Sequence, residues 1–261
     1  MKAFATITAT IFLLCAAVPG RAEMKTEVVQ YRHGDVALEG YLAYDDAVKG
    51  KRPGILVVHE WMGHNPYVRK RAEQLAQMGY VAFALDMYGK GVRAKDGTEA
   101  AALAGKYKGD RKLMRARAAA GLDVLRSNPR VNPGRLGAIG YCFGGTTVLE
   151  MARGGADLVA VVSFHGGLDT PTPEDAKNIK GKVLALHGGD DPFVPLQHVE
   201  AFQEEMRKGR VDWQFVSYGG AVHGFTNPEA GNDNSKGAAY NETADRRSWV
   251  AMKDFFAETL K

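Results

Sequence analysis

From Pro53 to the C-terminus, short apolar runs alternate with stretches in which apolar residues recur every three or four positions. The runs at 54–58, 80–85, 136–140, 159–164, 183–187 and 213–218 lack the in-out alternation of half-exposed strands, so they predict strands covered on both faces. Ahead of them, 27–31 and 36–43, joined through His33, Gly34 and Asp35, predict an antiparallel hairpin. Asn65 and Pro66 supply a helix cap and a first-turn proline, Val68, Ala72 and Leu75 form one apolar stripe, and Gly79 ends it. Further helices are predicted at 98–125, 146–153, 196–208 and 240–258. The pattern therefore predicts an α/β fold with a predominantly parallel central sheet, helices on both faces and an N-terminal antiparallel hairpin. The stretches 88–97 and 226–237 are rich in turn formers and carry the weakest periodicity.

The first residues follow a different pattern. Lys2, an apolar stretch over 3–18 and then Pro19, Gly20, Arg21 and Ala22 fit a cleavable signal peptide, with the cut after Ala22. The expected product, 23–261, is a single exported domain, periplasmic or secreted. Removing Lys2 and Arg21 leaves 32 basic and 30 acidic residues, a formal charge of +2. So balanced a chain offers no electrostatic reason to bind nucleic acid or, once the leader is gone, an anionic membrane. Arg111, Lys112, Arg115 and Arg117 fall at helical spacing and are expected on a solvated helix face. Of two cysteines, Cys15 lies in the leader, which leaves Cys142 as a lone thiol with no disulfide partner.

Cys142 sits in GYCFGG, between a predicted strand and a predicted helix, with Gly140 two before it and Gly144 two after. This is the GxSxG nucleophile turn with cysteine in place of serine. The turn also offers the Phe143 N–H, at a helix N-terminus, as an oxyanion donor. A thiol attacking an acyl group needs a base, and the base an orienting acid. LALHGGDDPFVP puts Asp190 and Asp191 just past a strand, and WQFVSYGGAVHGF puts His223 in the loop after the last strand, in the order nucleophile, acid, histidine. His165 and His187, at other strand ends, are expected to be structural, and His33 falls in the hairpin turn. In VVHEWMGHN, Glu60 is placed to perturb the thiol and the Trp61 N–H to complete the oxyanion hole. A zinc-binding HExxH helix would need histidine at Gly63, and His64 is one residue too far, so no metal is expected; nor does the chemistry call for an organic cofactor.

These four segments together resemble the dienelactone hydrolase family of the α/β-hydrolase superfamily, over most of the chain from about Val28. The resemblance implies the α/β-hydrolase fold and a triad of Cys142, His223 and Asp191. Asp191 is preferred to Asp190 because it stands four before Pro195, where the family's DxxVP pattern has its acid. It also implies that Glu60 holds the resting thiol until substrate displaces it. Family members that open dienelactones grip the substrate carboxylate with two arginines. At the comparable places this chain has Lys90, with Arg93 just beyond, and Asn227. Lysine lacks the planar fork that binds a carboxylate with two bonds, so a different specificity is expected. Tyr88 and Phe225, with Lys90, Arg93 and Asn227, are the candidate substrate contacts. The expected activity is hydrolysis of a small-molecule ester or lactone through a thioester. The alternatives are a non-catalytic binding protein that kept the fold, or a thiol redox sensor, although no second cysteine remains to resolve a disulfide.

Overall fold

The computed structural model describes residue 1 and residues 23–261, so the leader and Cys15 lie outside the described residues. Eight strands form one sheet in the order β1-β2-β4-β3-β5-β6-β7-β8. β1 (Met24–His33) and β2 (Val36–Asp45) make the hairpin, paired from Met24 with Asp45 to His33 with Val36, and β2 continues antiparallel onto β4. β3 (Arg52–Val58), β4 (Val81–Ala84), β5 (Val131–Tyr141), β6 (Ala160–Phe164), β7 (Lys182–Gly188) and β8 (Trp213–Tyr218) are all parallel to one another. Their C-terminal ends therefore open on one edge, where every following loop converges.

The strands read as continuous apolar runs because both sheet faces are covered. Ile55 and Val57 pack against α1 (Pro66–Gln77) and α6 (Glu242–Thr259), in a layer that includes Leu75, Ile139, Phe255 and Phe256. Leu56 and Val58 point the other way, into a layer shared with α2 (Gly97–Gly109), α3 (Arg111–Arg126), α4 (Phe143–Arg153) and α5 (Leu196–Lys208). Each fully buried aliphatic side chain contributes roughly 1.5–3 kcal/mol. Packing, with no disulfide among the described residues, holds the sheet together.

Two expectations are corrected. The helix predicted over 98–125 is two helices, because Asp110 leaves helical geometry at φ −132°, ψ 87° and its carboxylate caps the Leu113 N–H at 2.9 Å. The basic cluster is not a solvated face. Lys112 is exposed, but Arg117 is buried and donates to Met87 O at 2.8 Å and to Tyr107 Oη at 3.1 Å. Arg115 bridges Glu150 and Asp175, and Glu150 joins fully buried Arg153, which in turn grips Glu205 through two hydrogen bonds. Ion pairing, invisible in the helical spacing, decides where Arg115 points, and hydrogen bonds to Met87 O and Tyr107 Oη decide it for Arg117.

Candidate active site

Cys142 follows β5 directly and takes the left-handed conformation φ 54°, ψ −115° before α4 begins at Phe143. For a residue with a Cβ this backbone is strained. The flanking glycines are a steric requirement of the turn: a Cβ on Gly140 would lie 2.0 Å from Gly144 O, and one on Gly144 2.2 Å from Val58 O. The Cys142 N–H is held by Phe164 O at 3.0 Å and by His165 Nδ1 at 3.1 Å. Its side chain is thereby projected from the strand edge, and the Phe143 N–H, first in its helix, has no intrahelical partner.

His165 is fully buried and also left-handed, at φ 39°. Because its Nδ1 accepts from Cys142, its proton is on Nε2, which meets Thr226 Oγ1 at 2.7 Å. Thr226 Oγ1 lies 2.6 Å from Tyr67 Oη, and Arg71 donates to Tyr67, to Thr226 O and to Asp245. Burial, reinforced by the nearby charges of His223 and Arg71, keeps His165 neutral, well below the ordinary imidazole range. The expectation of a structural histidine is met in burial, but its bond to the nucleophile's own amide went unread in the sequence, which carries no signal for it beyond a histidine at a strand end.

Asp191 and Asp190 are separated by the turn after β7. Asp190 is exposed, whereas Asp191 is buried and its Oδ2 accepts from His223 Nδ1 at 2.7 Å. Asp191 Oδ1 is fixed by the Phe193 N–H at 2.9 Å. With Nδ1 so engaged, Nε2 is the ring nitrogen left free. Burial alone would lower the His223 pKa; the charge of the Cys142 sulfur and the bond to Asp191 overcome it and hold the imidazole up to about 10.

Glu60, after β3, is buried, and its Oε2 accepts from Asn227 Nδ2 at 2.6 Å; Asn227 Oδ1 is tied to the Glu229 N–H at 2.9 Å. Burial raises the Glu60 carboxyl to about 7 against the pull of Asn227 and His223. Trp61, next along, is 41% exposed, so its ring lies at the surface. The substrate contacts expected from sequence divide. Lys90 is exposed, and Arg93, also exposed, donates its Nε to His64 O. Asn227 serves Glu60. Tyr88 is buried and donates to Trp61 O at 2.9 Å. Phe225 is fully buried against His165 and Tyr218, a core position with no face toward solvent, which corrects its assignment as a pocket residue. Phe193, passed over in the sequence, is 60% exposed and stands edge-on to the His223 ring at 5.5 Å. Its place two residues after the acid was the available signal. No group of three or more His, Cys, Asp or Glu side chains among the described residues is arranged to hold a metal ion. No helix among them is long and apolar enough to cross a membrane.

Comparison with known proteins identifies the family. A solved structure named m3DLH is 44% identical, superposes with a TM-score of 0.88 and is covered over 99% of its length by 91% of this chain. A dienelactone hydrolase-like promiscuous phosphotriesterase from metagenomic libraries is 41% identical, with a TM-score of 0.87 over 92% of this chain and 100% of its own. A Synechocystis protein provisionally named carboxymethylenebutenolidase is 28% identical over 92% of this chain and 99% of its own length. The profile of the dienelactone hydrolase family matches residues 38–260, and the chain belongs to that family of lactone and ester hydrolases.

Proposed function

We propose that the protein hydrolyses carboxylic esters or lactones through a triad of Cys142, His223 and Asp191. The observation that carries this reading is the 2.7 Å bond between Asp191 and a His223 whose charge is supported by the Cys142 sulfur, at a strained turn that exposes that sulfur. The thiolate adds to the ester carbonyl, and the negative charge on oxygen faces the N–H groups of Phe143 and Trp61. Collapse breaks the carbonyl–oxygen bond of the ester, with the departing alkoxide taking a proton from His223, and leaves a thioester on Cys142. His223 then removes a proton from water, which attacks the thioester; the acid leaves and the thiolate returns. No step needs a metal or an organic cofactor.

Glu60 is a buried carboxyl whose titration feels His223, and with Oε2 held by Asn227 its Oε1 is the atom left to restrain the resting thiol. Iodoacetamide labelling tests this: a restrained thiol labels faster in Glu60→Gln protein, and equal rates would remove the restraint. Lys90 and Asn227, where two carboxylate-gripping arginines would stand, support a preference for neutral esters and lactones over carboxylate-bearing ones. The leader-like segment over 1–22 supports export to the periplasm or beyond, and the N-terminus of protein recovered from the producing cell would then be Glu23. The central experiment is a panel of neutral esters, lactones, carboxylate-bearing lactones and a phosphotriester, with wild type and Cys142→Ala. The expected result is turnover by wild type, a trapped acyl adduct on Cys142 by intact mass, and loss of both in the variant. Undiminished hydrolysis by Cys142→Ala would falsify the nucleophile.

A further inference from the structure

The oxyanion donor offered by Trp61 is carried on a loop, and a loop amide stabilises developing charge only if its peptide is held still before the reaction begins. The two oxyanion amides differ in this respect. The Phe143 N–H is fixed by α4, whose first turn is closed by the Thr146 N–H donating to Cys142 O at 3.2 Å. The Trp61 N–H has no helix behind it. Its peptide plane is shared with the carbonyl of Glu60, so whatever fixes Glu60 O also aims Trp61 N–H.

Three groups converge on that segment. His59 Nδ1 donates to Glu60 O at 2.6 Å, and the Gly63 N–H reaches the same oxygen at 3.2 Å. His59 Nε2 accepts from the Met87 N–H at 3.2 Å, which fixes the proton on Nδ1. Tyr88 Oη donates to Trp61 O at 2.9 Å, so the next peptide is held as well. His59 is fully buried and Tyr88 nearly so, and their rings pack edge to face at 4.9 Å, with Phe143 against both. Asp86 completes the support: its Oδ1 accepts from the N–H groups of Tyr88 and Gly89 at 2.9 and 3.0 Å. The run Asp86 to Gly89, which follows β4, thus braces the loop that follows β3.

We infer that His59 and Tyr88 are positioning residues for the oxyanion hole, clamping the Glu60–Trp61 and Trp61–Met62 peptides so that the Trp61 N–H is aimed at the carbonyl oxygen before substrate arrives. In this role Tyr88 acts through the backbone of Trp61. His59 does this as a neutral imidazole, donating from one nitrogen and accepting at the other, a pair of bonds that an imidazolium could not make. The inference rests on the reading of Cys142 as an acyl-transfer nucleophile, and the test separates the two.

Tyr88→Phe removes one oxygen and leaves the ring packing, and His59→Asn keeps a donor of similar reach to the Nδ1 position. Ester hydrolysis and iodoacetamide alkylation of Cys142 are measured on both variants and on the wild type. Alkylation needs the thiolate but develops no oxyanion. The expected result for Tyr88→Phe is a fall in kcat of about tenfold or more, with KM and the alkylation rate within about twofold of wild type. His59→Asn should lose less than His59→Leu, because it retains the donor to Glu60 O. An unchanged kcat in Tyr88→Phe overturns the inference. So does a parallel fall in kcat and alkylation, which would mean that the nucleophile itself had been disturbed. Full hydrolysis by Cys142→Ala would instead sink the nucleophile assignment, whatever the Tyr88 variant does.

Discussion

The strand ends of β5, β7 and β8 and those of β3 and β4 face the same site but are built on different terms. On the first side Cys142 is set by glycines that no other residue could replace, Asp191 by the Phe193 amide of its own turn, and His223 by backbone hydrogen bonds to Gly237 and Ala239 further along its loop. On the second side Glu60, Trp61 and Tyr88 are set by other loops: Glu60 by Asn227 after β8, Trp61 by Tyr88 after β4. The nucleophile thus rests on its own turn, and the oxyanion donor and Glu60 on cross-loop contacts. Changing the second set leaves the reactive turn standing, which is how one scaffold keeps its chemistry while its substrates differ.

The largest effect expected from this division is on the first side. His223→Asn should reduce kcat/KM by roughly 10³–10⁴-fold for every substrate in the panel, because base and ion-pair partner are lost together. Lys90→Met, on the second side, should spare neutral esters and cost at most about tenfold on carboxylate-bearing lactones. If Lys90→Met lowered neutral-ester hydrolysis as far as His223→Asn does, the two sides could not be separated in this way.

His165 joins the two sides, and the next effect in size falls there. It stands against the His223 ring at 5.4 Å, yet the two imidazoles titrate in opposite directions, lowered where the partner is a backbone amide and raised to about 10 beside the Cys142 sulfur and the Asp191 carboxylate. His165→Leu leaves Thr226 Oγ1 without its donor and the strained Cys142 amide with Phe164 O alone. Urea denaturation should show a loss of about 1–3 kcal/mol, together with slower alkylation of Cys142. Wild-type stability in that variant would mean that the buried chain from His165 through Thr226 and Tyr67 to Arg71 contributes nothing to the turn.

The same division explains what was legible in the sequence. The strands were found within a few residues, because burial on both faces writes an apolar run that needs no knowledge of the partner strand. GYCFGG was readable for a related reason: the glycines are demanded by contacts within the turn and with the adjacent strand. Asp191 could be separated from Asp190 only by a family pattern, since burial of one and exposure of the other depend on the path of the loop. The inward turn of Arg115 and Arg117 and the burial of Phe225 depend on elements distant in the chain, whereas the break at Asp110 is a local cap on Leu113. Asn227 was read as a missing arginine. Its bond to Glu60 spans 167 positions, and nothing local to either residue announces it.

Glu60 tests that long-range bond directly. Its carboxyl is raised from an ordinary value of 4.5 to about 7, chiefly by burial. A carboxyl that binds its proton more tightly folded than unfolded contributes its full stability below the unfolded pKa. That contribution is lost as pH rises from about 4.5 to about 7, and above this range the folded protein carries the whole cost of a buried charge. Glu60→Gln removes that cost and still presents an amide oxygen to Asn227. It should therefore match wild type near pH 4 and exceed it by about 3.5 kcal/mol near pH 8, at about 1.4 kcal/mol for each pKa unit. Urea midpoints at the two pH values measure the difference. A variant with no advantage at pH 8 would mean that Asn227 and His223 together hold the Glu60 carboxylate as well as water does. The second side of the site would then be as firmly set as the first.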